Sequence, residues 1–271
     1  MLCGMRSLLL VIALALLASA APLASAQPVT APGADVALPA GLRCLLAAYP
    51  EQLCSATPSE LVWCDGTRMA WDDGVAKPDH EVLLDTADLE DQMAQRYPLG
   101  GAWQPPPPLN VEPGRIRHEP FFAKMYGDSA AAVRKTLAPV RWLGGETVRV
   151  TTVNRVHERL QAVSDEVAKL PSAPTVAKTA GTFNWRAIRG TKRRSMHSYA
   201  VAIDVGVASS DFWGWVKPGP DGRLAWRNRI SMDVVEVFER HGFIWGGKWY
   251  HFDTMHFEYR PELLADPCVQ R

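Results

Sequence analysis

The sequence predicts an α+β fold, a mainly antiparallel sheet with flanking helices behind an N-terminal extension. Three observations predict it. Two segments repeat apolar residues at helical spacing, two others carry strand-like patterns, and the four occur in mixed order with short links. The 271 residues, 47% of them hydrophobic and 21% charged, hold material for one large or two modest cores.

At the N-terminus, Arg6 precedes the apolar run 7–17, and Ala24-Ser25-Ala26 fits the small-x-small pattern of a cleavage site. Residues 1–26 therefore read as a signal peptide, with Gln27 the first mature residue. No other stretch is long and apolar enough to span a bilayer. The protein is expected to be exported, periplasmic or secreted, with no membrane span after signal cleavage.

Residues 27–112 form an N-terminal region of unassigned role. Its first part, 27–40, is rich in Ala and Pro and reads as a flexible lead-in. Further on, Leu61-Val62-Trp63 runs into Asp65-Gly66, a strand followed by a tight turn. Cys44, Cys54, Cys64 and Cys268 remain after signal removal. An even number in an exported chain permits two disulfides, with three connectivities, against the alternative of four buried thiols. The proline run 105–108 can enter neither a helix nor a central strand, so it is a stiff connector. The boundary is placed near residue 112, with the second domain at 113–271.

In that domain Asn154 is expected to cap a helix that turns Val156, Leu160, Val163, Val167 and Leu170 to one face, with Pro171 and Pro174 ending it. Residues 201–205 read as a core strand with Val201, Ile203 and Val205 on one face and Ala202 and Asp204 on the other. A second helix starts at Ser231, buries Met232, Val235 and Phe238, and stops at Gly242 in the left-handed conformation. Residues 255–259 alternate as a half-buried strand does, with His256 and Glu258 sharing a face.

Chemistry concentrates in 195–204 and 253–258. A carboxylate on a core strand is costly unless it meets a cation or donors. His197 stands seven residues before Asp204, so a turn around Ser198-Tyr199 is needed to bring them together. With His256 they make a plausible three-ligand zinc set that leaves a fourth place for water. Asp253, in the loop entering the last strand, is then a carboxylate able to take that water's proton. Singly, each residue also has a plainer reading, as a hydrogen-bonded histidine or a turn aspartate.

The segment Ser195-x-His197-x-x-Ala200-x-Ala202-x-Asp204 resembles the S-x-H-x-x-G-x-A-x-D motif of the M15 family of zinc D-Ala-D-Ala peptidases and related endolysins. Asp253-Thr254-Met255-His256 resembles that family's closing motif. The stretch 241–249 is similar to its G-[WF]-x-W-G-G-x-W run, and 181–190 to the segment before its first ligand. The likeness runs from about 181 to 261, and more weakly upstream to Gly114-Arg115-Ile116-Arg117. It implies a DD-peptidase-like fold and hydrolysis of peptidoglycan stem peptides, foremost as a D-alanyl-D-alanine carboxypeptidase. An L-alanyl-D-glutamate endopeptidase and a non-catalytic zinc-containing cell-wall binding module are the alternatives. It also implies Zn2+ on His197, Asp204 and His256, Asp253 as general base, and Arg186 polarising the scissile carbonyl with Arg189 as rival. Ser195, Arg189, Trp245 and Trp249 fall to substrate binding.

Two residues depart from the motif. Ala200 replaces Gly, at a cost of about 1 kcal/mol if φ there is positive. Asp253 stands where many relatives have Glu. Lys192, Arg193 and Arg194 beside Ser195 offer a cation for a terminal carboxylate, or simply form a solvated basic loop.

Other classes fall away. The balance of 29 basic and 29 acidic side chains leaves no basic excess for nucleic acid. H-E-x-x-H and S-x-x-K are both absent. Residues 242–248 match G-x-x-x-x-G-K, but Trp249 takes the Ser/Thr position and a helix precedes, so this is a false phosphate loop. Most tryptophans of the catalytic half read as core, whereas Trp245 and Trp249 flank the glycine pair and are expected to wall the cleft.

Overall fold

The structure, a computed structural model, describes residues 37–271. The expected signal peptide and residues 27–36 of the lead-in lie outside them. The described residues form one unit. Its fold is α+β: antiparallel sheets flanked by helices, as the patterns predict.

Strands β1 (Leu53–Thr57), β2 (Glu60–Trp63) and β3 (Arg68–Ala70) make a small antiparallel meander, with Gly66 at φ 84° in the Asp-Gly turn. Strand β4 (Tyr97–Pro98) pairs in parallel with the C-terminal β11 (Val269–Gln270). Strands β5 (Leu137–Arg141) and β6 (Thr147–Thr151) form a hairpin. The central sheet holds β7 (Thr179–Gly181), β8 (Ala202–Val205), β9 (Phe243–Trp245) and β10 (His256–Tyr259) in the order β7-β8-β10-β9, all antiparallel.

The apolar side of this sheet is closed by helices. The helix Met232–Arg240 lays Phe238 on Phe257, with ring centroids 3.8 Å apart. Each such fully buried ring is worth roughly 1.5–3 kcal/mol. The helix Val156–Val167 buries Val156, Leu160, Val163 and Val167 on one face, as its spacing predicts.

Two local expectations need correction. Asn154 does not cap that helix: it sits at φ 54° in the preceding turn, and its amide donates to the Tyr126 hydroxyl at 3.2 Å. Met232 is 37% exposed, because the second helix turns Val234, Val235, Val237 and Phe238 inward instead.

The proposed boundary near 112 does not separate two cores. Leu42, Trp63 and Tyr97 share one hydrophobic cluster with Leu160, Phe238 and Phe257. Cys44 bonds Cys268, fastening the first described helix, Ala40–Ala48, to the C-terminus, and Cys54 bonds Cys64 within the meander. Two disulfides point to an oxidising environment. Among the described residues no helix is long and apolar enough to cross a membrane.

Candidate metal centre and catalytic cleft

Residues Met196–Tyr199 form a single 3₁₀ turn that ends at Ala200 with φ 56° and ψ 35°. This turn lets His197 and Asp204 converge despite their odd separation. Ala200 occupies the left-handed region that favours glycine, a strain of about 1 kcal/mol. The buried Ser198 hydroxyl donates to the Arg186 carbonyl and accepts the Arg186 N–H, both at 2.9 Å, which clamps the 184–186 segment onto the turn. Across the sheet, His256 stands opposite Asp204 in register. Asp204 Oδ1 then lies 3.2 Å from His197 Nε2 and 2.9 Å from His256 Nδ1.

The hydrogen bonds behind each imidazole decide which nitrogen faces inward. His197 Nδ1 donates to the Thr182 carbonyl at 2.8 Å, leaving Nε2 toward the cluster, buried and without a hydrogen bond among the described residues. His256 Nε2 donates to Glu258 at 3.0 Å, leaving Nδ1 inward. A ring held from behind by a carbonyl or carboxylate is the usual setting of a metal-ligating histidine. One donor atom from each of His197, Asp204 and His256 lies within 4.8 Å of the others. Asp253 adds a second orphan, its buried Oδ1. Two lone buried polar atoms beside one carboxylate suit a cation with one open position.

Electrostatics agree. Burial alone would lower His256, but Asp204 and Glu258 outweigh it and raise the imidazole to about 10, so the cluster attracts positive charge. Burial would likewise raise Glu258, yet Arg117, His256 and Arg260 bring it down to about 2. Asp253 goes the other way, raised by burial to about 6 against the pull of His256. A carboxyl near neutrality beside a cation site is suited to take and return a proton.

Asp253 owes its position to glycine. Its N–H donates to the Gly246 carbonyl at 3.0 Å, and a Cβ on Gly246 would stand 2.6 Å from the Asp253 carbonyl oxygen. Thr254 N–H donating to Asp211 and Trp213 N–H donating to Phe252 brace the loop from the other side.

These groups border a cleft of about 280 Å³. Arg186, Arg189, Ser195, His197, Asp204, Trp249, Asp253 and His256 all line it. Arg186 and Arg189 are exposed there, whereas Ser195 is buried. Trp249 lies 5.6 Å from the His256 ring, with its indole N–H donating to the Pro113 carbonyl. Trp245 does not reach the cleft. It is fully buried, donates to the Thr254 carbonyl at 2.8 Å, and lies so close to Gly247 that a Cβ there would clash at 2.1 Å. The second glycine of the pair thus makes room for a core ring. Lys248, the lysine of the phosphate-loop look-alike, is buried in an ion pair with Glu239 at 2.6 Å.

Sequence reasoning assigned no role to Arg115, Arg117, Glu258, Glu112, His80 or His251. Arg115, Arg117 and His251 line the cleft, and Arg117 pairs with Glu258 at 3.1 Å. Glu112, fully buried, joins Arg115 at 2.9 Å, His80 at 3.2 Å and the His251 ring and N–H. The weak upstream likeness at 114–117 was the only signal for any of them, apart from the strand face that Glu258 shares with His256.

Two imidazoles and a carboxylate around one position, a buried acid beside them, and arginines along the walls make an arrangement suited to metal-assisted hydrolysis. Residues 189–259 match the family model described as D-alanyl-D-alanine carboxypeptidase. The match is confined to this one segment, which is similar to the M15 peptidases. No curated protein matches the chain.

Proposed function

We propose that this protein is an exported zinc-dependent peptidase that hydrolyses peptide bonds in peptidoglycan stem peptides, with the terminal D-alanyl-D-alanine bond as first choice. One observation carries the reading: inside the family-matched segment, three donor atoms converge beside the orphaned Asp253 Oδ1.

His197 Nε2, Asp204 and His256 Nδ1 would hold the metal. Bound zinc supplies Lewis acidity, which acidifies water and polarises a carbonyl. Asp253, raised toward neutrality by burial, takes the proton of the attacking water and hands it to the leaving amine. Arg186, with Arg189 beside it, borders the cleft where a charge developing on the carbonyl oxygen needs a donor. Thr182 and Glu258 keep the two imidazoles oriented. Ser195 and Trp249 line the space left for the peptide. The likeness to a signal peptide at 1–26 and the two disulfides support export.

The test is digestion of purified muropeptides with and without chelator, read by mass spectrometry. Loss of one alanine, abolished by chelator and by His256→Ala, is expected. Release of a longer fragment assigns the endopeptidase bond instead, and zinc binding without any turnover assigns a binding module. Cleavage that survives both chelator and His256→Ala overturns the proposal.

A further inference from the structure

A lone exposed apolar side chain is ordinary, but Trp215 is the outer member of a cluster of three aromatic rings. It is 62% exposed and ends the 3₁₀ turn Trp213–Trp215, where its N–H donates to the Phe212 carbonyl at 3.0 Å. Its ring meets Phe212 edge-on with centroids 5.7 Å apart, and Phe212 meets Trp213 at the same separation. Phe212 and Trp213 line the cleft, and Trp213 also packs edge-on to His251 at 4.8 Å. The aromatic surface therefore continues the cleft wall outward and ends in a ring open to solvent.

The arm that carries these rings is braced. Phe212 forms an antiparallel bridge with Asp253, and the Asp211 N–H donates to the Thr254 hydroxyl at 2.7 Å. Arg229 donates from Nε to Asp211 and from Nη1 to the Ala208 carbonyl, both at 3.1 Å. Gly214 makes room for the cluster, since a Cβ there would stand 2.5 Å from the Phe212 ring. A tryptophan presented on such a fixed turn gives up little conformational freedom when a ligand covers it.

Resting on the peptidase reading, we propose that Trp215, with Phe212 and Trp213 behind it, is a saccharide platform that holds the N-acetylated amino sugar to which a stem peptide is attached. The faces of such a sugar present polarised C–H bonds, which suit the negative face of an indole, while its hydroxyls stay in water. Trp215 lies one tight turn from Phe212, so its Cα stands within about 12 Å of the Asp253 Cα. Four extended residues span at most about 14 Å. Both bonds considered above are therefore within reach of a sugar seated on this arm. A bilayer surface, the other common cover for an exposed tryptophan, is flat and cannot follow the rings into the cleft.

The experiment adds a peptide-free tetrasaccharide of alternating N-acetylglucosamine and N-acetylmuramic acid to the zinc-loaded full protein and reads binding by saturation-transfer NMR. This glycan contains no peptide bond to cleave. KM is then measured for one stem peptide with and without its disaccharide. Wild type and Val75→Ala, which alters an equally exposed side chain outside the arm, are expected to bind the glycan. Both should show a KM about tenfold lower for the disaccharide-bearing peptide, the scale of one stacked ring. Trp215→Ala abolishes glycan binding and brings the two KM values together, whereas Trp215→Tyr keeps an aromatic face and restores part of both effects. Glycan binding that Trp215→Ala abolishes, without turnover of any peptide, leaves the platform standing and removes the peptidase. Absence of glycan binding in wild type, equal KM values in wild type, or a preference kept in full by Trp215→Ala overturns the platform and leaves the peptidase untouched. Binding to phosphatidylglycerol vesicles that Trp215→Ala abolishes, with glycan binding unchanged, assigns the ring to a membrane surface and also overturns it.

Discussion

Glu258 holds His256 from behind while Arg117 and Arg260 hold Glu258, so the direction of one ligand nitrogen depends on a fully buried charge network. Replacing Glu258 by Gln keeps the shape and an acceptor but removes the charge. Zinc affinity is expected to fall about 10–100-fold, the usual effect of losing a ligand's outer partner. Competition against a chromophoric chelator measures it, and an unchanged affinity would show that Glu258 serves packing alone. Asp253→Asn separates proton transfer from metal binding. Zinc affinity should persist while kcat drops by about 10²–10⁴, the range of a lost general base. That His197, Asp204 and His256 meet beside Asp253 was legible in the sequence, because strand alternation and short motifs record those positions locally. Glu258 was visible only as a face-mate of His256. Its role emerges from Arg117, more than a hundred residues away and outside any motif.

At the scale of elements, Glu112 plays for the cleft rim the part that Glu258 plays for the metal centre. It joins His80, Arg115 and His251, and therefore ties the start of the helix His80–Thr86 to the loop that carries Asp253. Burial alone would raise its carboxyl, but Arg115, His251 and His80 hold it well below the usual carboxylate range. A folded-state pKa below the unfolded one adds stability that is complete above the unfolded value, near 4.3, and is lost as pH falls from there toward the folded value. Glu112→Gln is therefore expected to destabilise by roughly 3 kcal/mol at neutral pH, the scale of a broken buried charge network. Denaturant unfolding should show this gap constant above about pH 5 and shrinking below it. A gap independent of pH would mean that the carboxylate charge contributes nothing. No sequence pattern announced this cluster, since its members come from three separate segments. The helix patterns were legible for the same reason in reverse. Val156, Leu160, Val163 and Val167 encode their face in their own spacing, whereas Asn154 was claimed by Tyr126, a partner that spacing cannot reveal.

At the scale of the molecule, residues 37–112 are structural members of the same body as the candidate site, although the composition shift near 100 reads as a domain edge. The Tyr49 hydroxyl donates to Glu262 at 2.6 Å, and Glu262 pairs with Arg260, which continues to Glu258 and His256. The candidate metal centre is thus joined to the first described helix by an unbroken buried chain of polar groups. The Tyr97 hydroxyl donates to Glu239 and accepts the Trp245 N–H, so both of its hydrogen-bonding roles are filled from the second half. A fragment of residues 113–271 would expose Leu160, Phe238 and Phe257 where Leu42, Trp63 and Tyr97 now join their cluster, and would leave Glu239, Lys248 and Glu262 short of partners. It is expected to lack a cooperative thermal transition and to lose zinc binding, whereas residues 37–271 should melt in one step. The Cys44–Cys268 bridge, closing 224 residues, supplies a second reading of the same claim. Chain-entropy arguments give it about 5 kcal/mol, so Cys44→Ala with Cys268→Ala should lower the single transition without splitting it. Two separated transitions in that variant would mean that the halves fold independently and that the shared core carries little of the stability.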